Sequence, residues 1–344
     1  MDVFKQNWRA RLAKGAAIPA HPLALTSTRK LDESHQRALS RYYSAAGADG
    51  VAVGVHSTQF EIRDSKYGLY RPVLELAAET LAEREMIMVA GVCGSTPQAI
   101  AEARTASDLG YHCALLSLTA LREARIDDLL AHVKAVGDVL PIVGFYLQPA
   151  VGGRILPYAF WREFARIDSV IAIKIAPFNR YATQDVLRGV IDSGRSSEIT
   201  LYTGNDDHIV LDLLSPFAYR GEMIEMKGGL LGHWAVWTKS AVEMHRAIRK
   251  ASGQSEFDRD WLIRATEVTD MNAAIFDVAN NFHGCIAGIH EVLRRQGLMA
   301  GRWCLNPSED LSPGQMDEID RVVQAYPHLV DDEFVKEHLD SWMR

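Results

Sequence analysis

Val170-Ile171-Ala172-Ile173-Lys174-Ile175-Ala176-Pro177 (residues 170–177) reads as a short β-strand. Its residues are largely β-branched, polarity is nearly absent, and a proline ends it. Alternate residues of a strand share a face. Lys174 therefore lies with Ala172 and Ala176, while Ile171, Ile173 and Ile175 face the other way. A lysine flanked by small residues on an apolar strand is poorly solvated. Burial penalises the ammonium form, and the neutral amine that results is the species that adds to a ketone to form a Schiff base.

Outward from this strand, strand-like and helix-like segments alternate from about residue 20 to 250. The strands are expected at 23–26, 50–53, 87–91, 114–117, 141–146, 170–175, 200–203 and 223–227. Helical patterns occupy 33–46, 72–83, 97–109, 126–136, 159–167, 184–193, 209–217 and 235–251. Asp32, Thr96-Pro97 and Thr183 are suited to open the first, third and sixth of these helices. Eight strand–helix units imply parallel strands joined by crossover helices, and eight is the number that closes a (β/α)8 TIM barrel. An open doubly wound sheet fits less well, because no GxGxxG follows the first strand and no midpoint reverses the strand order. The expected organisation is an α/β barrel over residues 1–254, with a short N-terminal lead-in. A C-terminal helical extension over 255–344, with helices at 260–280, 284–296 and 312–325, packs on that barrel.

Composition narrows the function. The 344 residues are 48% hydrophobic and 24% charged, ordinary for a soluble globular protein. A net charge of −7 argues against nucleic acid or an anionic membrane as the main partner. No apolar run approaches the roughly 20 residues that span a bilayer, and Met1 to Lys14 lacks the apolar core of a signal peptide, so a cytoplasmic protein is expected. Cys93, Cys113, Cys285 and Cys304 are far apart without CxxC spacing and read as reduced thiols rather than zinc ligands.

In such a barrel, chemistry sits at the C-terminal ends of the strands. The fifth expected strand ends in Gly144-Phe145-Tyr146-Leu147-Gln148-Pro149, and alternation groups Tyr146 with Ile142 and Gly144. A phenol directed at the barrel axis from there would relay protons beside Lys174. The second strand leads into His56-Ser57-Thr58-Gln59-Phe60-Glu61, where two hydroxyls and free backbone N–H groups can cradle a carboxylate. The seventh ends in Tyr202-Thr203-Gly204-Asn205-Asp206-Asp207 and the eighth in Gly228-Gly229-Leu230-Leu231-Gly232-His233-Trp234. His56, His208 and His233 could meet at a metal, but no HxH or HExxH pairs them with a carboxylate at ligand spacing, so no metal and no cofactor is expected.

Taken in order, these pieces resemble the dihydrodipicolinate synthase / N-acetylneuraminate lyase family of class I aldolases. The resemblance runs through Pro22-Leu23-Ala24-Leu25-Thr26, Ala46-Gly47-Ala48-Asp49-Gly50, Val89-Ala90-Gly91-Val92, Tyr146-Leu147-Gln148-Pro149-Ala150, Ile171-Ala172-Ile173-Lys174 and the glycines at 204, 228, 229 and 232. It implies a (β/α)8 barrel in a homo-oligomer, tetramer or dimer, acting on a 2-oxo acid such as pyruvate. It also implies Lys174 as the imine lysine, Tyr146 as general acid/base, Ser57 and Thr58 at the substrate carboxylate, and His56, Gly204 and His233 at the rest of the substrate. The sequence departs from the family at three places. The 56–61 loop lacks the family's glycines, Leu116-Ser117-Leu118-Thr119 carries no tyrosine, and Ala150 stands where the synthases place an arginine. These departures favour a lyase or dehydratase of a pyruvate-type or sugar-derived oxo acid over dihydrodipicolinate synthase itself. A barrel that binds an oxo acid without turnover, and a metal-dependent barrel hydrolase or aldolase, are the alternatives.

Overall fold

The computed structural model describes residues 2–344; Met1, where the expected lead-in begins, lies outside them. Among the described residues ten strands form: β1 (Ala17–Pro19), β2 (Gly50–Val53), β3 (Ile87–Val92), β4 (Cys113–Leu116), β5 (Ile142–Leu147), β6 (Val170–Ala176), β7 (Thr200–Thr203), β8 (Phe217–Tyr219), β9 (Glu222–Ile224) and β10 (Met226–Leu231). Eight of them pair in parallel in the order β1-β10-β7-β6-β5-β4-β3-β2. A parallel bridge from Ala20 to Ala52 brings β1 back to β2, so the sheet curls into the expected (β/α)8 barrel. Strands β8 and β9 form a separate antiparallel hairpin, turned at Arg220-Gly221, both with positive φ, as a two-residue hairpin turn requires.

Two layers of core follow from the alternation of side chains along strands buried on both faces. Inside the barrel lie Ile18, Ala52, Val89, Leu115, Val143, Phe145, Ala172 and Tyr202 among others, while the opposite parity packs outward against the helices. The helix Asp2–Lys14 caps the lower end, where the Leu12 carbonyl accepts a 2.6 Å hydrogen bond from the Tyr202 hydroxyl.

Two strand expectations need correction. The first strand is Ala17–Pro19, and the 23–26 segment forms only a single bridge, from Leu25 to Leu31. Leu23, Ala24 and Leu25 are apolar because they are buried with the outer core beneath the helix Glu33–Ala45, and the Ala24 N–H is bonded by Gln36 rather than by a strand. The eighth barrel strand is Met226–Leu231, so Gly228 and Gly229 lie within the strand and only Gly232 follows it. At Gly228 a Cβ would stand 2.4 Å from the Ala16 carbonyl oxygen, so only glycine allows β1 and β10 to pack this closely. Helix starts follow the caps in part. Asp32 caps its helix through the His35 N–H, whereas the helix expected from 184 begins at Arg180, capped by Asn179.

Beyond the barrel come helices Asp260–Ile275, Cys285–Arg295 and Gln315–Ala325, and a further helix, Asp332–Trp342, outside the expected set. The last returns to the barrel wall: Trp342 lies 5.5 Å from the Tyr42 ring, and Asp331 accepts the Tyr42 hydroxyl at 2.7 Å. No helix among the described residues is long and apolar enough to cross a membrane.

Candidate active site at the mouth of the barrel

Lys174 enters the barrel from β6 with only 7% of its surface exposed. Its backbone is in register with Phe145 on β5 and Tyr202 on β7, so all three side chains point to the interior. The Lys174 Nζ sits 4.5 Å from the centre of the Phe145 ring and has no hydrogen-bond partner among the described residues. It faces a cavity of about 60 Å³ at the C-terminal ends of the strands, lined also by His56, Ser57, Gly204 and Asp206. The C-terminal region contributes Phe276, Phe282, Cys285 and Ile289 to its lining.

Burial lowers the Lys174 pKa, and the nearby Asp206 carboxylate pulls it part of the way back. Asp206 shifts in the opposite sense. Burial raises its pKa, against the His233 N–H that donates to its Oδ1 at 2.9 Å and the positive field of Lys174. The two groups form no direct ion pair. Each feels the other's charge across the cavity, and burial brings their proton affinities toward one another. His56 is neutral, its pKa pushed down to about 4 by burial and then by the Lys174 charge.

Gly204 belongs to this arrangement through what it lacks. A Cβ there would lie 2.5 Å from Lys174 Cε, so the glycine leaves the lysine its channel along β7. The 3₁₀ turn His56–Thr58 borders the cavity with His56 and Ser57. The backbone N–H groups of these two residues have no acceptor among the described residues, while the Ser57 hydroxyl donates to the Ala20 carbonyl at 3.0 Å. Thr58 is elsewhere. Fully buried, it donates to the His21 carbonyl at 2.7 Å and accepts the N–H groups of Gly54 and Val55, which shapes the turn without reaching the cavity. Arg63 braces the same turn, paired with Glu102 at 3.0 Å and donating to the carbonyls of Gly54 and Gly91.

Besides Thr58, two sequence expectations are corrected, those for Tyr146 and His233. Tyr146 does share a face with Ile142 and Gly144, but that face is the outer one. The ring lies 5.0 Å from Trp161, the hydroxyl exchanges long hydrogen bonds of 3.3–3.4 Å with the Leu156 backbone, and Phe145 takes the inward place beside Lys174. The pairing of β5 with β6 passes from Ile142↔Val170 to Val143↔Ala172, skipping Ile171, so Lys174 stands beside Phe145 rather than Tyr146. His233 contributes its backbone N–H to Asp206, but its ring turns away to Trp237 and Asn272. The histidines do not converge, since His208 bonds Asp212 at 3.2 Å away from the cavity.

Sequence reasoning missed Asp206 and the aromatic cover from residues 276–289. Asp206 had a legible signal, because it shares parity with Tyr202 and Gly204, three residues past the end of β7, the strand paired beside Lys174. The cover had none, as its contact with the barrel is purely tertiary.

No protein-family model matches this chain, and neither does any curated protein. Solved structures do. Dihydrodipicolinate synthase from Oceanobacillus iheyensis superposes with a TM-score of 0.74 at 17% identity, covering 93% of this chain and 99% of its own. A prophage protein of the dihydrodipicolinic acid synthase family from E. coli K12, solved in complex with pyruvate, gives 0.75 at 17% identity, over 91% and 98%. N-acetylneuraminate lyase from Fusobacterium nucleatum gives 0.72 at 14% identity, over 91% and 99%. At these identities the likeness is one of fold: this chain has the (β/α)8 barrel of the dihydrodipicolinate synthases and N-acetylneuraminate lyases.

Proposed function

We propose that this chain is a divergent member of that family, a lyase that acts on a 2-oxo acid through a Schiff base on Lys174. The observation that carries the proposal is a buried amine of lowered proton affinity, unbonded, facing a cavity at the strand ends across from a buried carboxylate. Neighbours in fold include a protein solved with pyruvate, which supports the same class of ligand.

The chemistry follows from charge. The neutral Lys174 amine adds to the C2 carbonyl, water leaves, and the resulting iminium draws electrons from C3. Loss of a C3 proton, or of a C3–C4 bond, then yields an enamine. The free N–H groups of His56 and Ser57 hold the substrate carboxylate. Asp206, with its proton affinity raised toward neutrality, takes and returns the proton that a phenol at position 145 or 146 does not supply. To test this, the protein is incubated with pyruvate and related oxo acids under cyanoborohydride and its peptides are mapped. A mass increment on the Lys174 peptide is expected. Its absence with every oxo acid refutes the proposal.

A second reading, an oxo-acid-binding barrel without turnover, draws on Phe145 standing where a proton-relaying side chain would stand. Wild-type affinity in Lys174→Ala, with no turnover in either protein, would favour it.

A further inference from the structure

The cavity offers few groups that a hydroxylated substrate could bond. Among its polar lining, Lys174 forms the imine, the backbone of the His56–Ser57 turn meets the carboxylate, and Asp206 moves the proton, which leaves the Gln148 amide, the single His56 ring and the weakly bonding Cys285 thiol. The other side chains around the amine are mostly apolar, Leu147, Val151, Phe178, Phe276, Phe282 and Ile289 among them. The volume of about 60 Å³ has room for roughly four or five waters. A three-carbon oxo acid takes up much of that room, and a substituent on C3 meets the Phe178, Phe276 and Phe282 side chains that line the rest.

The cover is itself unusual. Phe178 and Phe282 have φ of +51° and +66°, a left-handed backbone that bulky residues rarely adopt. Their rings meet edge to face at 5.8 Å over the cavity, joining the loop after β6 to the C-terminal region. Strained backbone of this kind persists where the surrounding structure holds it, and it concentrates at ligand-facing segments.

We infer that the second reactant, the aldehyde joined to or released from the oxo acid, is apolar, aliphatic or aromatic, and not a polyhydroxylated sugar aldehyde. This inference rests on the imine reading above. In the condensing direction the enamine C3 attacks the aldehyde carbon to form the C–C bond, and the aldehyde oxygen takes its proton from Asp206. Water then adds to the iminium and releases the Lys174 amine with a 4-hydroxy-2-oxo acid. A sugar aldehyde would bury hydroxyls without partners, and each such loss costs roughly tenfold or more in rate.

The test supplies the full chain with pyruvate and either butanal or benzaldehyde, or glyceraldehyde or erythrose, and follows the 4-hydroxy-2-oxo acid. The expected kcat/KM favours the apolar aldehydes by about tenfold for each hydroxyl avoided. An equal or reversed preference, with pyruvate trapped on Lys174, overturns the inference and leaves the imine standing. No trapped adduct overturns both. In Phe282→Asn, which suits the positive φ, the apolar-to-hydroxylated rate ratio should fall several-fold. Both rates come from one preparation, so the ratio is independent of the folded fraction, and an unchanged ratio overturns the inference.

Discussion

Replacing Gly204 by alanine adds one methyl group against the proposed reacting amine. That methyl would stand 2.5 Å from Lys174 Cε, 3.0 Å from Lys174 Cγ and 2.8 Å from Ala176 Cβ. Carbons rest comfortably at about 3.5–4.0 Å, so about 1 Å of displacement is needed on each contact. Ala176 is fixed to the β6 backbone and cannot yield. The lysine chain can, by leaving its rotamer and carrying Nζ off its path into the cavity. Gly204 has no positive φ, so alanine brings no backbone strain and the effect is the contact alone. Overpacking of this size costs about 1–3 kcal/mol. A misplacement of about 1 Å at a reacting centre costs on the order of 100-fold in rate. Thermal unfolding and the initial rate of reductive trapping with pyruvate measure the two effects separately. The expected result is a midpoint a few degrees lower and trapping slowed by about 10- to 100-fold. Trapping at the wild-type rate, whatever the stability, would refute the claim that β7 sets the position of the amine.

Two further substitutions follow from the site. Tyr146→Phe should trap pyruvate within about twofold of wild type and lose about 0.5–1 kcal/mol of stability, because the phenol bonds only the Leu156 backbone; a large loss of trapping would restore the tyrosine to the chemistry. Asp206→Asn removes the negative charge that raises the Lys174 pKa against burial. The amine then deprotonates at lower pH, so the rise of trapping rate with pH should move to lower pH, while turnover with proton transfer falls. A shift toward higher pH would contradict the assigned coupling.

Most of the barrel was legible because the signal repeats. Strands β2, β3, β4, β5, β6 and β7 fall where apolar runs and helical periods alternate, and Lys174 stood out as the one charge in such a run. The ends of the barrel were harder to read. At the start, Leu23 to Leu25 look like a strand because they are apolar, but that apolarity serves burial under a helix. At the end, Gly228 and Gly229 look like loop, yet they occupy a strand: at Gly228 β1 and β10 approach too closely for a side chain, and at Gly229 the Trp234 ring and Leu231 take the space. Burial can be read from composition. The partner that buries a segment cannot, and the cover formed by Phe276, Phe282 and Ile289 depends wholly on such a partner.

Strand five shows why the site needs more than parity. Both of its faces are buried, so hydrophobicity gives no sign of which set of side chains turns inward. Counting from Lys174 would settle the matter if β5 and β6 kept one register, but the pairing slips between Ile142 and Val143. One residue of slip changes which neighbour stands beside the amine, and here it is Phe145 rather than Tyr146. The consequence is chemical. An aromatic face 4.5 Å away favours the ammonium but has no proton to give. In the proposed mechanism the proton traffic then falls to the buried acid whose affinity is raised toward that of the amine, Asp206. Loss of the inward phenol and the raised carboxylate opposite it are thus two parts of one arrangement. A slip of register at the foot of β5 and the acid at the end of β7 together decide how a proton could move in this barrel.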